Sequence, residues 1–155
     1  MGNCQKLSFH RSQSTLVIVD HNDEHLNSST LSSITAASKL KYDIHCLVVG
    51  QKVESVAQEL TKVGALKKIL VSENEAYKGL LPEVLVPLVI ELQNSNNYSH
   101  IICSSSSFGK NFIPRFAAQL DVSPISEVIA IKDESTFVRY LNLFFKFSIF
   151  KRCFF

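Results

Sequence analysis

The stretch Tyr98–Ile131, YSHIICSSSSFGKNFIPRFAAQLDVSPISEVIAI, constrains the fold more than any other part of the chain. Ile101, Ile102 and Cys103 form a short apolar run that Ser104–Ser107 end. From Phe108-Gly109 onward, Phe112, Phe116, Ala117 and Leu120 recur every three or four residues, the period of a helix with one buried side. Pro114 is expected in the first turn of that helix, where a missing N–H costs nothing. After Ser123-Pro124, Val128–Ile131 reads as the next strand. Strand, loop, helix and strand in one uninterrupted run predict an α/β domain with a largely parallel sheet. The serine loop then lies at the carboxyl end of a strand, where such sheets usually place ligands.

The preceding residues repeat the pattern. Thr15–Asp20 is a continuous apolar strand ending in an acid, suited to a sheet covered on both faces. Ser28–Lys41 reads as a helix with Leu31, Ile34, Ala37 and Leu40 on its buried side. Ile44–Val49 is a strand that Gly50 stops, and Val53–Val63 is a helix whose Val53, Val56, Ala57, Leu60 and Val63 share a face. Gly64 is placed to cap its end. Lys68–Ser72 is a third strand, and Leu81–Gln93 is a helix expected to bend near Val84–Pro87 because Pro87 lacks an N–H. Asn94–Asn97 is a turn cluster before the strand at His100–Cys103. Short connections and right-handed crossovers narrow the topology to a single doubly wound, mostly parallel sheet of flavodoxin-like type.

Composition excludes several classes. The 46% hydrophobic and 19% charged content argues for a folded core rather than disorder. A net charge of +2, with Lys39, Lys41, Lys67, Lys68, Lys146, Lys151 and Arg152 scattered along the chain, gives no nucleic-acid footprint. No apolar run reaches the roughly 20 residues of a membrane span. Cys4, Cys46, Cys103 and Cys153 form no CxxC pair and suit isolated thiols, with Cys46 and Cys103 as small core residues.

The two ends differ from the body. Residues 1–13 carry Lys6, His10 and Arg11 and no acid, a pattern compatible with a short mitochondrial transit segment or an unstructured leader. Met1-Gly2 suggests N-myristoylation, but Lys6 stands where that pattern wants Ser or Thr. Residues 141–155 hold six of the eleven phenylalanines, three cations and no acid. That tail reads as an extra strand at the sheet edge (Phe137–Phe145), as the product of a reading frame ended early, or as a membrane-surface segment of alternating Phe and Lys. It is also an aggregation hazard.

Four constellations invite a chemical reading. In the Ser104–Lys110 loop, backbone N–H groups, hydroxyls and Lys110 could hold a phosphate; the alternative is that the serines and Gly109 only cap the helix. Asp20-His21-Asn22-Asp23-Glu24-His25 has no glycine for a dinucleotide turn, and its carboxylates would repel pyrophosphate. That segment offers two imidazoles and three carboxylates to a metal, yet a solvated loop fits its spacing better. A Ser104–His21–Asp20 triad can be drawn, with nothing in the spacing to favour it. No catalytic, cofactor-binding or metal-binding residue is assigned on these grounds.

Ordered fragments across Ser12–Tyr140 do resemble one family. They are Gln13–Val19, Val56–Leu60, Tyr77–Glu83, Phe108–Asn111, Pro114-Arg115 and Pro124–Ser126. The chain resembles the amino-terminal domain of electron transfer flavoprotein alpha subunits over residues 14–140, and nothing after them resembles the family's second α/β domain. The resemblance implies a scaffold domain that packs against a beta subunit in the mitochondrial matrix. The complete complex carries FAD, accepts electrons from acyl-CoA and other dehydrogenases and passes them to a membrane quinone oxidoreductase. FAD is held chiefly by the missing domain, so the resemblance implies no flavin on this chain alone and no enzyme-like catalytic group. The rival reading is a stand-alone nucleotide-binding domain using Ser104–Lys110.

Overall fold

The strands are apolar at successive positions because helices cover both sheet faces, and alternate residues feed two separate cores. Leu16, Ile18, Leu47, Val49, Ile101 and Cys103 point to one core, while Val17, Val19, Cys46, Val48 and Ile102 point to the other. The computed structural model describes residues 14–22 and 25–139, and the backbone of 147–151.

In chain order the elements are β1 (Ser14–Ile18), β2 (His21–Asn22), β3 (His25–Leu26), α1 (Ser28–Ser38), β4 (Asp43–Gly50), α2 (Glu54–Thr61) and β5 (Lys68–Glu73). A single 3-10 turn at Glu75–Tyr77 leads to α3 (Pro82–Asn96), β6 (His100–Ser104), α4 (Ser107–Gln119), β7 (Ile125–Ile131), β8 (Phe137–Arg139) and β9 (Phe147–Lys151). The main sheet has the order β5-β4-β1-β6-β9-β7-β8. Its first four strands are parallel, in the register Leu16↔His45, Leu16↔Ile101 and Leu47↔Leu70. Apolar residues of α1 and α2 pack on one face, and those of α3 and α4 on the other. The expected α/β fold with a parallel, doubly covered sheet is therefore present.

The departures have local causes. Leu31 is 44% exposed, and α1 instead turns Thr30, Ser33, Ile34, Ala36 and Ala37 inward. Two hydroxyls tolerate burial there because Thr30 donates to the Asp20 carbonyl and Ser33 to that of Ser29. Gly64 is not a left-handed cap; α2 ends earlier, at Thr61, with right-handed Lys62 as its C-cap. The helix α3 continues unbroken past Pro87 into the Asn cluster and stops at Asn97, whose φ of 52° is left-handed. Pro114 lies in the interior of α4 rather than its first turn, because the helix already begins at Ser107.

The Phe-rich tail gives the largest departure. The strand β8 does sit at the sheet edge, paired antiparallel to β7. The strand β9, however, lies inside the sheet between β6 and β7, antiparallel to both, so β6 and β7 run the same way without touching. Of the edge strand expected over Phe137–Phe145, Phe137–Arg139 lies at the edge as β8, 140–146 lie outside the described residues, and β9 is inserted farther in.

Candidate functional site

At the carboxyl ends of β1 and β6 the chain leaves the sheet in opposite directions, to α1 on one face and α4 on the other. This is the topological switch point, where open α/β sheets form a crevice. Asp20 organises it. Its backbone N–H donates to Thr30 Oγ1 at 3.0 Å, and Thr30 Oγ1 donates to the Asp20 carbonyl at 2.8 Å. Its carboxylate accepts from Ser104 Oγ at 3.2 Å, and Ser104 Oγ lies 3.3 Å from Ser106 Oγ. Ser106 is the N-cap of α4, accepting from the Gly109 N–H at 3.2 Å. One buried residue thereby ties the first turn of α1 to the start of α4.

Gly109 is required at this junction. A Cβ there would stand 1.9 Å from the Ser104 carbonyl oxygen and 3.0 Å from Cys103 Sγ. That closeness lets α4 sit directly against the end of β6, with Phe108, Phe112 and Phe116 stacked along it at centroid spacings of 5.7 Å. Phe112 and Phe116 are buried in the core beneath.

The serine loop therefore does what helix capping asks. Ser106 caps, Ser104 bonds Asp20, and Lys110 is exposed outside the neighbouring cleft. The drawn triad is half realised: Ser104 meets Asp20 directly, but no imidazole stands between them. His21 instead donates from Nε2 to the Val49 carbonyl at 3.0 Å. Nor do the two histidines converge on a metal. His21 is buried in β2, whereas His25 in β3 is exposed and pairs with Glu59 at 3.3 Å. Asp23 and Glu24 lie outside the described residues, and among the described residues no group of three or more His, Cys, Asp or Glu could hold a metal. No helix among them is long and apolar enough to cross a membrane. Burial pushes the Cys46 thiol up to about 12 and raises that of Cys103 as well, the Asp20 carboxylate adding to the latter.

A cleft of about 570 Å³ opens beside this junction, lined among others by Asp20, His21, Gln51, Leu80, Phe108 and Asn111. Its residues do not fit the pyrophosphate of a flavin dinucleotide. A nearly buried carboxylate bonded to Ser104 stands beside the α4 N-cap, where it would repel a phosphate, and the loop from Val19 to Asn27 has no glycine. A second hollow, of about 830 Å³ between α3 and α4, is lined by Val86, Pro87, Ile90, Arg115 and Ala118, with Arg115 bonded to Glu83 at its rim.

Sequence reasoning missed the part played by Asp20 and Thr30. A strand-ending acid followed ten residues later by a threonine was the available signal, and it is too common to single out.

Comparison with known proteins places the geometry in context. The model of the electron transfer flavoprotein domain matches residues 15–146. The electron transfer flavoprotein subunit alpha of Pseudomonas aeruginosa is 45% identical over 124 residues, covering 80% of this chain and 40% of the relative. The probable mitochondrial electron transfer flavoprotein subunit alpha of Caenorhabditis elegans is 41% identical over 131 residues, covering 84% of this chain and 40% of the relative. The mitochondrial subunit of Dictyostelium discoideum is 41% identical over 130 residues, covering 80% and 37%. The chain thus spans about 40% of the length of the relatives it matches. Its matched residues make it a member of the electron transfer flavoprotein domain family.

Proposed function

We propose that the chain is the amino-terminal, scaffolding part of an electron transfer flavoprotein alpha subunit. The observation that carries this is 45% identity over 80% of the chain to one alpha subunit, with the match confined to about 40% of that relative. On this reading residues 14–140 pack against a beta subunit and help position a separate flavin-bearing domain. The assembled carrier takes electrons from acyl-CoA and other dehydrogenases and delivers them to a membrane quinone oxidoreductase. The mitochondrial names of several relatives, together with the basic, acid-free first thirteen residues, support residence in the mitochondrial matrix.

No catalytic, metal-binding or FAD-binding side chain is proposed within the described residues. Electron transfer asks a protein to place its cofactor rather than to supply acid–base groups. The buried Asp20 carboxylate at the switch point supports a domain that does not itself grip a dinucleotide. The visible spectrum of the chain purified alone tests this: a colourless protein is expected, and stoichiometric FAD on the isolated chain would overturn it.

A further inference from the structure

Strand β5 forms one edge of the main sheet and, among the described residues, pairs with β4 alone. The ladder shows which of its groups face the open side. The Leu47 carbonyl accepts from Val19 at the end of β1, so the alternate β4 residues Cys46, Val48 and Gly50 face β5. The Gly50 carbonyl accepts from the Asn74 N–H, which turns Leu70 and Ser72 toward β4 as well. Ile69, Val71 and Glu73 therefore direct their backbone N–H and C=O groups outward. Ile69 packs on the α1–α2 core and Leu70 on the α3–α4 core, while Val71, on the same face as Ile69, is 50% exposed.

The charges along this edge are segregated. Lys67 and Lys68 are exposed at its amino end, Glu73 and Glu75 at its carboxyl end. Edge charges usually deter a foreign strand. With the two signs at opposite ends, a parallel copy of β5 meets lysine with lysine, whereas an antiparallel copy meets each lysine end with a glutamate end. Lys67 already reaches Asp43 Oδ2 at 2.5 Å. That exposed pair is weak, and an ammonium with three donors can serve both carboxylates.

We infer that the β5 edge is a self-association surface, on which β5 of a second copy pairs antiparallel to continue the sheet. A two-fold axis normal to the sheet brings residues of the same face together, so only a few registers are open. An axis at Leu70 sets Leu70 against its own copy, Ile69 against Val71 and Lys67 against Glu73. An axis at Val71 would set Ile69 against Glu73, and one at Ile69 would set Lys67 against Val71. The Leu70 register alone matches apolar with apolar and cation with anion, and it lets the outward groups of Ile69 and Val71 bond across the axis. This surface goes beyond the carrier role, because self-association and beta-subunit binding are read in separate experiments.

Sedimentation velocity of the full chain over roughly 1 to 200 μM tests the assignment, since a strand-wide contact is small and implies a weak, reversible dimer. The wild-type chain should shift from monomer to dimer within that range. Glu73→Lys sets lysine against Lys67 at both ends of the pairing, and Lys67→Glu sets glutamate against Glu73. Each should weaken the dimer at least about tenfold. Both positions are exposed, so melting temperatures should stay close to wild type. An equimolar mixture of the two variants restores opposite charges at both ends and should recover a dimer as stable as that of the wild type. A wild-type chain that stays monomeric to 200 μM would overturn the inference and leave the edge to a strand of another protein. Variants that dimerise as the wild type does, or a mixture that remains monomeric, would overturn it too.

Discussion

Ser104 Oγ donates to Asp20 Oδ2 across 3.2 Å and fastens the end of β6 to the end of β1, two residues 84 positions apart in the chain. The bond lies where both strands hand over to helices on opposite faces, so it holds the switch point closed from within. Ser104→Ala removes that donor from a nearly buried carboxylate, and a loss of about 1–3 kcal/mol is expected. Thr30→Val keeps the shape but orphans the Asp20 N–H, with a similar loss. Urea unfolding midpoints measure both; wild-type midpoints would show that the network contributes nothing.

Gly109→Ala should be more damaging than either. The added methyl would stand 1.9 Å from a backbone oxygen, which cannot rotate aside as a side chain could. A loss of at least about 3 kcal/mol, or failure to accumulate as folded protein, is expected in thermal melts. A wild-type melting temperature would mean that α4 does not sit this close to β6.

The two core thiols should be silent in the native protein. Cys46 is held near 12 and Cys103 is also raised, both by burial, so neither supplies the thiolate that alkylating reagents need. Peptide mapping after iodoacetamide in mildly alkaline buffer should find these two labelled only once urea is added. Native labelling at either would contradict the packing described.

His45 gives the fold a pH dependence with a definite sign. Burial, then the Lys68 cation, lowers its pKa below the ordinary 6.5; Asp43 opposes the shift and Lys67 adds to it. Its Nδ1 lies 3.1 Å from the Tyr98 hydroxyl. The folded state keeps the ring neutral while the unfolded chain takes up a proton first. This penalty is absent above about 6.5 and grows as pH falls from there through the lowered folded value. Unfolding midpoints should therefore drop in that window, and His45→Gln should flatten the slope. An equal slope in wild type and variant would exclude His45 as its source.

Much of this architecture was legible from periodicity, because strands covered on both faces read as unbroken apolar runs and α2 and α4 show a clear helical stripe. Leu31 misled because the buried side of α1 is completed by Thr30 and Ser33, whose hydroxyls are satisfied locally and carry no apolar signal. The place of β9 was not legible either. A Phe-rich, β-prone segment shows that it prefers a strand but not which neighbours it pairs with, and here it enters between β6 and β7. The Asp20–Ser104 pair was drawn only as the ends of a triad through His21, and its direct bond and the link on to Ser106 were not foreseen, because a contact over 84 positions leaves no trace in local spacing.

Co-expression with an electron transfer flavoprotein beta subunit, followed by affinity capture on this chain and size-exclusion chromatography, tests the scaffold role most directly. A stable complex containing one copy of each polypeptide is the expected result. A chain that folds, remains soluble and yet elutes alone from an excess of beta subunit would contradict it.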